Sequence, residues 1–411
     1  MCEKGGRITL NNKFHKDTET IHTGYDSSSH HGSLAIPLYQ TSTFEFATAE
    51  QGERRFAGEE EGGIYSRLGN PTVKVLEDRM TALENGEGTL AFGSGMAAVS
   101  AILTHLTKTG DHIVCSRGIY GCTFGLLNIM EQKYNITHTL TSMGTEEAIE
   151  AALTPETVCI YIESPINPTM ELADLRAVSA VAKRHSLKVV VDNTFASPYL
   201  QNPIDFGADF VLHSATKYIN GHGDVIAGLL VGRNKEQIDQ IRGSVQKDYG
   251  GIMSPFDAWL LIRGLKTLSV RMQRHTENAE KFTEYLKTQD MVEDVFYPFD
   301  DGNPQVTIAK NQMTAGGGLV SFTIKGGQQA AQTFMNQLKL VKIAVSLGDA
   351  ETLIQHPATM THSGVPAGDR LKMGIEDGLL RLSAGLEHAD DLIADLDQAF
   401  QKVAAQQKTL S

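Results

Sequence analysis

Four apolar runs, each ending abruptly in polar residues, constrain this chain most. They are TLAF (89–92), TVCIYIES (157–164), LKVVVDNTF (187–195) and ADFVLHSATK (208–217). Helical patterns stand between them. Met96, Val99, Ile102, Leu103 and Leu106 recur at helical spacing, and LRAVSAVAKRH (175–185) reads as a helix. Strand–helix alternation of this kind predicts an α/β fold with a mostly parallel sheet covered by helices.

The pattern does not fill the chain. With 411 residues there is more sequence than one core usually supports, so two domains are expected. Residues 1–69 are polar, His-rich and Gly-rich, and the stretch 45–65 reads as loop. Such an arm is ordered, if at all, against another subunit. Residues 70–268 form the expected sheet domain. From about 269 the texture changes: GLVSFTIKG (318–326) alternates like a half-exposed strand, and RLSAGLE (381–387) offers another. Leu392, Leu396, Phe400 and Val403 then share one helical face, so 269–411 reads as a smaller α/β domain with a helix across it.

Charge and cysteine usage remove several function classes. The net charge of -13 disfavours nucleic acid and anionic membrane surfaces as partners. No apolar run reaches the length of a membrane span, and the N-terminus lacks the apolar core of a secretory signal. Cys2, Cys115, Cys122 and Cys159 are scattered, without a CxxC pair, so neither a disulfide framework nor a metal site is expected. A reducing cytoplasm is the simplest compartment.

Ligands of open parallel sheets bind at the C-terminal ends of the strands. The first run ends in Gly93-Ser94-Gly95-Met96 before a helix. Small residues there either make a tight turn or let backbone N–H groups hold a phosphate. The third run ends in Asp192, a carboxylate that either caps a turn or holds a protonated ring nitrogen. The fourth leads through Ser214 and Thr216 to Lys217, which either snorkels to solvent or serves as a desolvated, imine-forming amine. Pyridoxal phosphate (PLP) needs an anion site, an aspartate opposite its ring nitrogen and a Schiff-base lysine. The three strand ends together supply that set. A dinucleotide site is disfavoured, because GSGMAAV lacks the full GxGxxG.

YSRLGNPT, AFGSGMAAV, VVVDNTF and HSATKYINGHGD resemble the PLP-dependent enzymes of cysteine and methionine metabolism, from about residue 18 to near the C-terminus. The resemblance implies an aspartate aminotransferase-like fold. It implies Lys217 as the Schiff-base lysine, Asp192 on the pyridinium, and Gly95, Met96, Ser214 and Thr216 on the phosphate. Asn167 would lie near the ring hydroxyl and Tyr120 over the ring as a general acid. Tyr65 and Arg67 would reach the phosphate of a neighbouring subunit, so that a monomer has no complete site; family members are generally tetramers, and the resemblance implies a homotetramer built as a dimer of dimers. Ser346 and Arg381 would hold the substrate carboxylate, where the arginine fork suits bidentate binding.

Most members of that family read Tyr-Gly-Gly-Thr where this chain has Tyr120-Gly121-Cys122-Thr123. Cys122, the pair Lys247-Asp248 and Val345 resemble the branch that cleaves methionine. The resemblance therefore implies α,γ-elimination of L-methionine, with cystathionine or O-acetylhomoserine as the alternative substrate. Val345 offers no charge partner to a distal ammonium and suits an apolar thioether. Cys122 is either a residue of the catalytic site, tuning the acidity of Tyr120, sorting substrates by shape or serving as a reactive thiol, or a small packing residue.

Overall fold

Three valines in succession, 189–191, show why the large sheet is covered on both faces. Val189 and Val191 enter one apolar cluster and Val190 another. Successive side chains of a strand point to opposite faces, so a continuous apolar run needs cover on both. The computed structural model describes residues 14–410. Cys2 and the first 13 residues of the arm lie outside the described residues.

The large sheet contains β1 (Gly88–Phe92), β2 (His112–Ser116), β3 (Thr137–Thr141), β4 (Thr157–Glu163), β5 (Lys188–Asp192), β6 (Phe210–Ser214) and β7 (Gly228–Gly232). Their order is β1-β7-β6-β5-β4-β2-β3. All pairings are parallel except those of β7, which runs against both β1 and β6. Strands β1, β2, β4, β5 and β6 thus end at one edge. Helices Pro71–Leu83, Leu175–His185 and Pro255–Leu265 cover one face, with Leu76, Met80, Val178 and Leu261 in the first cluster. Helices Gly95–Leu106 and Gly121–Tyr134 cover the other, with Ile102, Leu103 and Leu127 in the second. Each fully buried side chain of this kind contributes roughly 1.5–3 kcal/mol.

A second sheet follows: β8 (Val292–Phe296), β9 (Leu319–Ile324), β10 (Lys342–Ile343), β11 (Leu353–Gln355) and β12 (Leu379–Ser383), in the order β10-β11-β12-β9-β8. Leu392, Leu396, Phe400 and Val403 of the last helix, Ala389–Leu410, pack with Phe322 and Phe334 in a third cluster. No helix among the described residues is long and apolar enough to cross a membrane.

The structure departs from the sequence pattern in several places. Strands β2, β3 and β7 were not expected: β3 is a polar edge strand, and β7 is a five-residue run bounded by glycines. The stretch 45–65 is not all loop, since Ala49–Phe56 is a helix whose cap, Thr48, accepts from the Gln51 amide at 3.2 Å. It carries too few apolar residues to show a periodicity. The expected strand at 381–387 starts earlier, at Leu379, and ends at Ser383. Its pairing with β9 stops there.

Candidate active site

The shared strand edge of the large sheet and the open end of the small sheet enclose a cavity of about 350 Å³. Its floor is Asp192, the last residue of β5. The Thr194 amide donates to Asp192 Oδ1 at 3.0 Å, and Thr194 Oγ1 accepts from the Ser214 amide at 2.8 Å. Burial raises the Asp192 pKa, while the Thr194 hydrogen bonds and His213 oppose the rise. His213 is held from behind by a buried carboxylate, Glu84, at 2.6 Å. A carboxylate enclosed in this way, with no lysine or arginine partner among the described residues, is a place for a cation.

At one side stands Lys217. Its Nζ donates to Ser346 Oγ at 2.8 Å. Burial, together with the Arg381 charge, pulls its pKa down to about 8, against a small opposing pull from Asp349. The amine therefore becomes a neutral nucleophile far more readily than a surface lysine.

Ser346 has φ 145°, a backbone conformation that favours glycine. Two contacts hold it there: the Lys217 amine on its hydroxyl and Arg381 Nη2 on its carbonyl. Strained backbone of this kind tends to collect at functional sites. Arg381, on β12, is buried, and its Nη1 donates to Asn167 Oδ1 at 2.7 Å. Its Nε has no partner, and burial lowers its pKa to about 10. A buried guanidinium that lines a cavity and has a donor left unpaired suits an incoming carboxylate.

At the opposite side the helix Gly95–Leu106 begins. Ser94 caps it, accepting from the Ala97 amide at 3.1 Å, which leaves the Gly95 and Met96 amides as first-turn donors. A Cβ on Gly95 would come within 3.1 Å of Ser214, so loop and strand approach closely and a larger residue would push Ser214 back by a few tenths of an ångström. Thr216 Oγ1 accepts from the Ala227 amide at 3.0 Å.

Tyr120 stands over the cavity at the head of the helix Gly121–Tyr134 and is 41 % exposed. Hydrogen bonding to Cys122, then burial, pushes its pKa up to about 12. Tyr120 therefore stays protonated and can donate a proton. Val345 and Ile226, both exposed, form an apolar lip.

The cavity thus brings together Gly95, Met96, Tyr120, Asn167, Asp192, Ser214, Thr216, Lys217, Ser346 and Arg381. It does not include Tyr65, Arg67, Cys122, Lys247 or Asp248. Arg67 lies over the Tyr65 ring, 5.7 Å from its centroid, and donates to the Lys247 carbonyl. Lys247 sits 3.4 Å from Asp248. Cys122 is exposed beside Tyr120. Sequence reading missed Thr194, Gln355 and Glu163 among the lining residues. Glu163 ends β4, and the strand-end rule applied to TVCIYIES would have found it.

The donor set fits PLP. A carboxylate without a lysine or arginine partner faces the cavity, an amine of lowered pKa reaches it, helix-start amides line one wall and a buried guanidinium another.

Comparison with known proteins agrees. A family model described as Cys/Met metabolism PLP-dependent enzyme matches residues 17–401. The chain is 50% identical over 389 residues to an L-methionine gamma-lyase of Treponema denticola, covering 94% of this chain and 96% of that protein. It is 48% identical to the L-methionine gamma-lyase of Pseudomonas putida, covering 94% and 97%. A crystal structure of cystathionine gamma-lyase from Lactobacillus plantarum, complexed with L-serine, superposes with a TM-score of 0.89 at 40% identity, covering 95% of this chain and 100% of that one.

Proposed function

The chain belongs to the PLP-dependent enzymes of Cys/Met metabolism, and from that membership we propose that it carries out the α,γ-elimination of L-methionine. Methionine and water yield methanethiol, 2-oxobutanoate and ammonia. When bound, PLP supplies an electron sink that lets protons leave the α and β carbons of an amino acid.

The residues of the chain divide the work. Asp192 would hold the ring nitrogen as a cation. The Gly95 and Met96 amides, with Ser214 and Thr216, would hold the phosphate, and Asn167 would hold the ring hydroxyl. Lys217 would anchor the cofactor, and its amine would take the Cα proton. Its lowered pKa leaves much of the amine neutral near pH 8. Arg381, with Ser346, would hold the substrate carboxylate. Tyr120, still protonated, delivers a proton to the sulfur as the Cγ–S bond breaks.

The observation that carries the substrate is the apolar lip. Val345 and Ile226 offer a thioether methyl no charge to desolvate, and the carboxyls of the cavity, Asp192 and Glu163, lie at its floor. A second amino-acid head group, as in cystathionine, finds no acidic partner at the lip.

The exposed cluster of Tyr65, Arg67 and Lys247 supports a site completed between subunits of a homotetramer built as a dimer of dimers. The arm at 1–69 would reach the neighbour, with 70–268 carrying the cofactor and 269–411 closing over it. A cytoplasmic location is consistent with the free cysteines Cys115, Cys122 and Cys159.

The test is a product assay on the holoenzyme with methionine, cystathionine, and O-acetylhomoserine plus sulfide, side by side. Methanethiol and 2-oxobutanoate from methionine, with cystathionine much poorer, are expected. Fast turnover of cystathionine or the acetyl ester alone would overturn the substrate and leave the cofactor site standing.

A further inference from the structure

One buried acid of the cavity has no part in the reaction as described. Glu163 ends β4 and is directly paired, in parallel register, with Asp192 at the end of β5. Both side chains line the cavity. Glu163 is 6 % exposed, and its Oε1 accepts from the Tyr120 backbone amide at 2.7 Å. Its own amide donates to Ser116 Oγ at 3.1 Å, which ties the end of β4 to β2. The titratable groups that face it are Asp192, Tyr120, Tyr161 and Cys115, all acids. Among the described residues no cationic side chain reaches it.

Two carboxyl groups at adjacent strand ends, buried together, do not both ionise while one of them lacks a cation, and the ring nitrogen that Asp192 would hold compensates Asp192 alone. One proton must stay. Asp192 has the Thr194 amide and hydroxyl to favour its anion, and His213 besides. Glu163 has one amide donor, from Tyr120. The proton therefore belongs on Glu163, and burial drives its pKa in the same direction.

We propose that Glu163 is a positioning residue of this site: as a neutral carboxyl it grips the Tyr120 amide, fixes the head of the Gly121–Tyr134 helix over the cavity, and leaves Asp192 the sole anion of the floor. The inference rests on Tyr120 acting in the proposed reaction. A Tyr120 amide without its acceptor would be free to shift, and a shift of about 1 Å in a catalytic group costs about a hundredfold in rate.

Glu163→Gln and Glu163→Asp separate this role from the alternatives. Glutamine is neutral, keeps an oxygen for the Tyr120 amide and keeps a donor on its second atom. Aspartate keeps the acid but is one methylene short. Glu163→Gln is expected to bind PLP to the apoprotein within about threefold of wild type and to keep kcat within about tenfold. The pH midpoint of the holoenzyme cofactor absorbance is expected to stay unchanged. Glu163→Asp is expected to lose about a hundredfold in kcat with little change in KM.

Either of two results overturns the proposal. Glu163→Gln could lose as much as Glu163→Asp or move the cofactor titration, which would mean that a charged carboxylate is needed. Glu163→Asp could match wild type, which would mean that nothing is positioned. If Glu163→Asp fails to fold, Glu163→Gln decides alone. PLP binding and absorbance need no substrate, so they report on Glu163 even where methionine turns out to be the wrong substrate.

Discussion

The strand ends of the large sheet and the N-terminal arm both carry residues expected to meet the cofactor, and they are built in opposite ways. Asp192 and Lys217 sit at the ends of buried strands, where desolvation changes their chemistry: one carboxyl is raised in pKa and one amine is lowered to about 8. Tyr65 and Arg67 lie in the open, stacked on each other outside the cavity. The core therefore holds the groups whose function depends on being out of water. The arm holds groups whose function needs only charge and reach, and these gain value when something covers them.

Three variants sharpen this contrast. Lys217→Ala strikes the buried side and should give the largest effect. A product assay is expected to show at least about a thousandfold loss of turnover, with the yellow cofactor colour gone. Near-wild-type turnover would remove lysine from the mechanism.

Arg67→Ala strikes the exposed side. Losing a charge-assisted hydrogen bond should weaken cofactor retention by about tenfold to a hundredfold, read by dialysis and absorbance. Mixing this variant with Lys217→Ala should restore activity, because a mixed pair of subunits rebuilds one intact site. No recovery from the mixture would place Arg67 on its own subunit's cofactor, or on none.

Cys122→Ala tests the border between the two regions and should give the smallest effect. Cys122 is the leading cause of the raised Tyr120 pKa. A tyrosine with a raised pKa stays a proton donor to higher pH. Removing Cys122 should therefore move the alkaline limb of the kcat profile to lower pH, with a change of less than about tenfold near neutrality. An unmoved limb would make Cys122 a packing residue.

Much of this contrast was legible in the sequence. Strand ends can be found by eye, so Asp192, Ser214 and Lys217 emerge from the runs that precede them. Glu163 obeys the same rule, ending a run as apolar as the others. Arg381 and Ser346 were reachable only through resemblance. They come from a β-strand and a strained loop of the small sheet, and nothing in their local sequence points toward Lys217. The arm helix Ala49–Phe56 escaped notice because side-chain capping marks its start, not an apolar stripe.

What the sequence determined by itself was the alternation of buried strands and helices, because apolar periodicity is a local property that water enforces on every segment. Lys217 and Asp192 became the candidates for the imine-forming amine and the ring-binding carboxylate from their places in that alternation. What only the tertiary structure decided was which distant groups meet. Arg381 binds Asn167, Ser346 touches Lys217, and Glu163 grips the Tyr120 amide. Those contacts join residues far apart in the chain through sheet order and register, and their pKa shifts come from a burial that no single segment creates alone.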